Sequence, residues 1–230
     1  MIFDWGGTLT PWHEVDLRAS WAAFARGYGT MACALNDLTA RLLAAEEAAW
    51  HAARHEHRAT TQAEILRAAG VAPDSAAAAA GLAVYWDFWE PHTLTHPSVW
   101  PMLEALTSAG IQVGVLSNTT WPREYHEGLF HRDEVSAFIH AQVYSCEIGV
   151  TKPHPEAFRA VLDELDVTAA DAVFVGDRLH EDVAGATAAG LRTVYLDHLM
   201  YAGDRVVSSD AVPDAVVRDL DDIAPLILGW

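Results

Sequence analysis

The feature that most constrains this chain is an alternation in its second half. Apolar runs at Gln112–Leu116, Ala172–Val175, Thr193–Leu196 and Ala215–Arg218 are interleaved with stretches of helical spacing at Val99–Ala109, Pro155–Leu165, His180–Ala189 and Asp221–Ile227. The runs are rich in Val, Leu and Phe, the composition of strands covered on both faces. Strand and helix in alternation make a parallel, doubly wound α/β sheet. Such sheets bind ligands beyond the carboxyl ends of their strands, near the point where strand order reverses. Asp4 follows the stub Met1-Ile2-Phe3, Ser117 follows Leu116, and Asp177 follows Val175-Gly176. All three are therefore expected at one crevice. The stub is short for a buried strand, which usually takes about five residues. A native start upstream of Met1, or a shortened strand, accounts for it.

Residues 14–96 contain no convincing strand. Val15–Tyr28, Met31–His55, Thr60–Ala69 and Ser75–Trp89 are rich in Ala, Leu and Glu at helical spacing. Gly27-Tyr28-Gly29, Gly70 and Pro73 break them apart, and Pro91 and Pro97 mark the return to the sheet. The expectation is a core of residues 1–13 and 97–230 with a four-helix domain, 14–96, inserted in it.

A chain of 230 residues at 51% apolar composition can bury a full core, and its formal charge of -18 argues against nucleic acid or an anionic membrane as partner. Cys33 and Cys146 stand far apart and in no ligand-like spacing, which suits a reducing cytoplasm rather than a disulfide or zinc site. No apolar run reaches the ~18 residues of a membrane span, and Asp4 would interrupt a signal peptide. A cytoplasmic monomer or homodimer acting on a small molecule is the expectation.

Four short segments carry the chemistry. Asp4 precedes the small-residue turn Gly6-Gly7-Thr8. Leu116-Ser117-Asn118 closes an apolar run, Lys152-Pro153 precedes a helix, and Val175-Gly176-Asp177 is followed five residues on by Asp182. A carboxylate at the end of a buried strand is unfavourable unless something uses it. Lys152 is the only lysine in the chain, so a compact cation at that position has a specific charge to offset.

In this order, the four segments resemble the motifs of the haloacid dehalogenase-like hydrolase superfamily, and the resemblance spans nearly the whole chain. It implies that 14–96 is a helical cap closing over the site. It implies Asp4 as nucleophile, forming an aspartyl-phosphate that water hydrolyses. Mg²⁺ would be held by Asp4, Asp177 and the backbone carbonyl of Gly6, with Asp182 binding through water or bracing Lys152. Thr8, Ser117 and Asn118 would contact the phosphoryl oxygens of a small phosphate ester, and Lys152 would balance the charge of Asp4 and the phosphoryl group.

One position departs from the pattern. The family's first motif usually reads Asp-x-Asp-Gly-Thr, and here the second Asp is Gly6. In family phosphatases that residue protonates the leaving oxygen and later activates water. Its loss leaves several readings open: a phosphatase with a good leaving group, such as a sugar phosphate; a phosphatase with an acid borrowed from His13 or Glu14; a haloacid dehalogenase; or a non-catalytic binding protein. A phosphonate-cleaving enzyme would need a cap lysine, which is missing. The dehalogenase reading is weakened because Asp177 and Asp182 are both kept, whereas those metal-free relatives lose the first acid.

Within the helical region, Glu47, His51 and His55 share a helix face, either as transition-metal ligands or as a solvated surface. Trp50, Tyr85, Trp86, Phe88 and Trp89 read as packing, or one or two of them as the roof of the pocket, with His92 and Arg54 as candidate substrate contacts.

Overall fold

The computed structural model describes residues 1–12, 14–198 and 209–230. Its strands are β1 Ile2–Phe3, β2 Gly114–Ser117, β3 Ala141–Tyr144, β4 Val173–Gly176, β5 Arg192–Leu196 and β6 Ala215–Val217. They form one sheet in the order β3-β2-β1-β4-β5-β6, with every pairing parallel. β1 is central and only two residues long. Ile2 aligns with Gly114 and Phe174, and Phe3 with Val115 and Val175. Further backbone bonds lengthen its hold, from Gly114 N–H to the Met1 carbonyl at 2.8 Å and from Asp4 N–H to the Val175 carbonyl at 2.9 Å. The order of connection reverses at β1, which places the crevice over the ends of β1 and β4.

Successive side chains of a strand point to opposite faces, and the core divides accordingly. Phe3, Val115, Val175 and Val194 pack with Val99, Met102, Leu103 and Leu106 of α5 (Val99–Ser108). Ile2, Leu116 and Phe174 pack with Phe158, Val161 and Leu165 of the helix Pro155–Leu165. The doubly wound α/β sheet is therefore as the alternation predicts.

Between β1 and α5 run α1 (Leu17–Gly27), α2 (Leu35–Glu56), α3 (Gln62–Ala68) and α4 (Ala76–Trp89). Their starts are legible. Asp16 caps α1, Ser75 caps α4, and Thr61 with Glu64 forms a reciprocal capping box on α3. α1 packs on α2 and α4, and α2 on α3. The group rests on the core through Trp86, stacked on Tyr125 at 3.8 Å. It is also tied by the α2–α3 connector, where the His57 carbonyl accepts from Thr151 N–H at 3.0 Å and Gln62 N–H donates to the Thr120 carbonyl at 2.7 Å. No helix among the described residues is long and apolar enough to cross a membrane.

The remaining helices are α6 (Arg123–Arg132), α7 (Ser145–Ile148), α8 (Pro155–Leu165), α9 (Gly185–Ala188) and α10 (Ile223–Leu228). β3 and α6 are not anticipated by the sequence reading. The stretch expected as one helix over His180–Ala189 begins instead as a wide, π-type turn, Leu179–Ala184, and only Gly185–Ala188 is α-helical. Wide turns of this kind accompany functional sites, and here the turn carries Asp182.

Candidate active site

Asp4 leaves the end of β1, and Asp177 follows β4, so neighbouring strands deliver two carboxylates to one edge. The wide turn returns Asp182 beneath them. These three residues can bring one carboxylate oxygen each within 4.8 Å of one another, and they are the one such group of metal-ligating side chains among the described residues.

Lys152 enters from the loop between α7 and α8. Its ammonium, 2% exposed, lies 2.6 Å from Asp4 Oδ1 and 2.7 Å from Asp182 Oδ1, and 5.0 Å from the centre of the Phe174 ring. The loop is held by Asn118, whose Nδ2 donates to the Lys152 carbonyl at 3.0 Å and whose Oδ1 accepts from Lys152 N–H at 2.7 Å. The sequence places Asn118 among the phosphoryl contacts. In the structure both ends of its carboxamide are engaged by the Lys152 backbone. Asp182 is similarly committed: Oδ1 to Lys152, and Oδ2 accepting from Arg178 N–H at 3.0 Å. Of its two expected roles, bracing Lys152 is the one these contacts perform. Gly176 must be glycine, because a Cβ there would collide with the Asp182 carboxyl group.

Three carboxylates face one ammonium, and the balance shows in their proton affinities. Burial, then the charge of Asp4, pushes Asp177 up to about 8. Burial raises Asp182 to about 6 against the pull of Lys152. For Lys152 burial works downward, but Asp182 and Asp4 outweigh it and hold the ammonium above its ordinary value. Asp177 as a residue keeps partial exposure, yet its Oδ1 is sealed and has no hydrogen-bond partner. An orphaned carboxylate oxygen, hard oxygen donors and surplus negative charge together suit a small divalent cation.

This imbalance predicts a pH dependence. Unfolded, Asp177 ionises near 4; folded and free of cation, it does so near 8. Between those values the folded state retains a proton that the unfolded state has lost, so stability falls as pH rises. In EDTA the melting temperature should decline from about pH 4 to pH 8, and Asp177→Asn should flatten the decline. A variant as pH-sensitive as the parent would contradict this.

The turn Gly6-Gly7-Thr8 lies against the cluster. The Trp5 carbonyl accepts from the N–H groups of Thr8 at 3.3 Å, Leu9 at 2.9 Å and Thr10 at 3.2 Å. Gly7 has φ +85°, and a Cβ on it would lie 2.7 Å from Asp177 Oδ2. Gly6 is different: a Cβ there meets nothing within 4 Å. Thr8 is buried with its hydroxyl unpartnered, and Ser117 is buried at the end of β2.

Other expectations fare unevenly. His13 lies outside the described residues, and Glu14 is exposed. Glu47, His51 and His55 are exposed and form no three-residue metal group, although the two imidazoles lie 4.4 Å apart. Trp86 and Trp89 pack edge-on against Trp121 at 5.2 and 4.9 Å. Among the histidines that the sequence reading passes over, two touch the segment after β1. His126 is fully buried between Trp5 and Tyr144, with Nε2 3.2 Å from the Thr119 hydroxyl, and burial lowers it to about 3, which keeps it neutral. His198 follows β5 and bonds through Nε2 to the Gly7 carbonyl. A signal for it exists, since Asp197-His198 follows the apolar run Thr193–Leu196 just as Asp4 and Asp177 follow theirs.

A family model of haloacid dehalogenase-like hydrolases matches residues 1–190. The chain belongs to that family. A glyceraldehyde 3-phosphate phosphatase of Methanopyrus kandleri is 32% identical over 166 residues, 69% of each chain. Other curated relatives match shorter stretches, and this chain spans about half their length. Among solved structures, an HAD phosphatase from Thermococcus onnurineus superposes with a TM-score of 0.64 at 19% identity, covering 98% of this chain and 96% of that one. A 2-haloacid dehalogenase from Pseudomonas syringae pv. Tomato DC3000 superposes with 0.65 at 23%, covering 100% and 97%. Both likenesses concern the fold.

Proposed function

We propose that this hydrolase cleaves a small phosphomonoester, using Asp4 as nucleophile and Mg²⁺ as cofactor. The observation that carries the reading is the arrangement around Lys152: one buried ammonium shared by Asp4 and Asp182, beside Asp177 with an unpartnered oxygen. The phosphatase name of the Methanopyrus kandleri relative supports the same substrate class.

Asp4, Asp177 and the Gly6 carbonyl would hold the cation, which supplies charge compensation for the phosphoryl group. Asp4 attacks phosphorus as the ester oxygen departs, giving an aspartyl-phosphate; water then attacks phosphorus and restores Asp4. Lys152 fixes the carboxylate through Oδ1, which leaves Oδ2 as the attacking oxygen. Thr8 and Ser117 donate hydroxyl groups to the phosphoryl oxygens. Residues 14–96, with α1–α4, act as the cap that excludes water. The docked connector and the Trp86–Tyr125 stack hold it in place.

A panel of phosphate esters assayed with and without Mg²⁺ tests this. Turnover should be abolished by EDTA and restored by Mg²⁺. Chloride release from 2-haloacids that persists in EDTA would replace the reading with a dehalogenase. Binding of Mg²⁺ and phosphate with no turnover of any ester would replace it with a binding protein.

A further inference from the structure

We propose that His198 is a positioning residue for the nucleophile turn, tethering Gly6-Gly7-Thr8 through the Gly7 carbonyl; this rests on the reading of Asp4 as nucleophile.

The turn needs an outside restraint. Two successive glycines have more backbone freedom than any other pair, and Gly6 has no side chain to lodge against its surroundings. A Cβ at that position would find open space within 4 Å. On another side, Thr8, Thr10, Pro11 and Trp12 border a cavity of about 190 Å³, so packing does not close in the turn there either. Its internal bonds tie N–H groups of residues 7–10 to the Trp5 carbonyl and the Thr10 hydroxyl. None of these holds the carbonyl of Gly7. His198 does, and it reaches the turn from the end of β5, a strand fixed on both sides by β4 and β6. His198 thus joins the sheet to a turn whose two glycines have no side chains of their own to anchor it.

What the tether holds is chemically specific. Gly6 lies on one side of Gly7 and Thr8 on the other. Release of the Gly7 carbonyl would free the Gly7–Thr8 peptide plane, which leads directly to the buried, unpartnered Thr8 hydroxyl, and through the Gly7 dihedrals would loosen the Gly6 carbonyl before it. Gly7 also lies beside the Asp177 carboxylate, which stands close enough to exclude a Cβ. A ring nitrogen held by a carbonyl is not presented to a leaving oxygen, so the contact assigns a restraint and not a proton donor.

The test compares His198→Ala with His198→Gln, whose amide can supply the same N–H, in the full-length protein. Two readouts are used: hydrogen exchange of peptides covering residues 5–10, and turnover of phosphate esters across pH. His198→Ala should speed exchange in the turn and lower kcat about 10- to 100-fold, the scale of a small misplacement at a reacting centre. His198→Gln should restore much of both and leave the shape of the pH profile unchanged. Unaltered exchange in His198→Ala would overturn the tether. A glutamine variant as slow as the alanine one, with one limb of the pH profile gone, would overturn it in favour of proton transfer. If wild-type protein turns over no ester, the phosphatase reading fails, while the exchange comparison still decides the tether.

Discussion

Lys152→Arg is expected to lower turnover by about 100- to 1,000-fold, the range found when a preorganised donor at a reacting centre is lost. The conservative charge does not rescue it. The ammonium is buried to 2% exposure and meets two carboxylate oxygens at 2.6 and 2.7 Å from different elements. A point charge can bridge that pair in any rotation, whereas a planar guanidinium needs coplanar acceptors and more room. Room is limited: the Phe174 ring centre is 5.0 Å from Nζ, and the backbone at Lys152 is clamped by Asn118. Lys152→Met should do more. It leaves Asp4 and Asp182 buried without their cation, and removing one partner of a buried ion pair destabilises by about 3–5 kcal/mol. Mg²⁺ should recover part of that stability, because it neutralises the same carboxylates. Steady-state rates and thermal unfolding with and without Mg²⁺ check both statements. A Lys152→Arg enzyme at the parental rate would show that any buried cation serves at this position and that the point-charge geometry is not required.

The legible parts of this site are those that hang on strand ends. Asp4 and Asp177 each follow a short apolar run, and parallel strands put those ends on one edge whatever lies between them. Lys152 follows no strand. It reaches the cluster from a loop, marked in the sequence by its uniqueness and by its place before Pro153 and a helix. Contacts made by loops are not periodic, which is why the carboxamide bracket of Asn118 and the bond from His198 to Gly7 escape a reading based on spacing. β3 was hidden for another reason. Its four residues, Ala141–Tyr144, include Gln142, which breaks the apolar run; the structure nonetheless pairs the strand residue by residue with β2. Tertiary pairing overrides a weak local signal in such cases. The wide turn at Leu179–Ala184 follows the demand that Asp182 face Lys152 and Arg178 N–H together, a constraint that exists only in three dimensions.

Gly6→Asp should raise turnover of simple alkyl phosphates by about 100-fold or more, within the span attributed to one positioned acid or base, while changing aryl phosphates little. The argument begins with the leaving group. An alkoxide is a poor one, and its departure as the Asp4–phosphorus bond forms is greatly assisted by a proton. Asp4 is the nucleophile, Lys152 is bonded to Asp4 and Asp182, and Asp177 would be committed to the cation, so none is free to supply it. Aryl and acyl phosphates, and anomeric sugar phosphates, have more acidic leaving groups and need the help less. The parent enzyme should therefore show a steep dependence of rate on leaving-group acidity. The structure makes the gain accessible: a Cβ at Gly6 meets no atom within 4 Å, and its backbone lies outside the left-handed region that would strain a side chain. Gly7, one residue on, offers neither condition, with φ +85° and Asp177 Oδ2 2.7 Å from the added carbon. A series of esters spanning aryl to alkyl, run on both enzymes at saturating Mg²⁺, gives the slope for each. The slope should flatten in the variant. Equal rates on alkyl and aryl esters in the parent would mean that an acid already acts there, and that the missing carboxylate at Gly6 has been replaced from elsewhere in the chain.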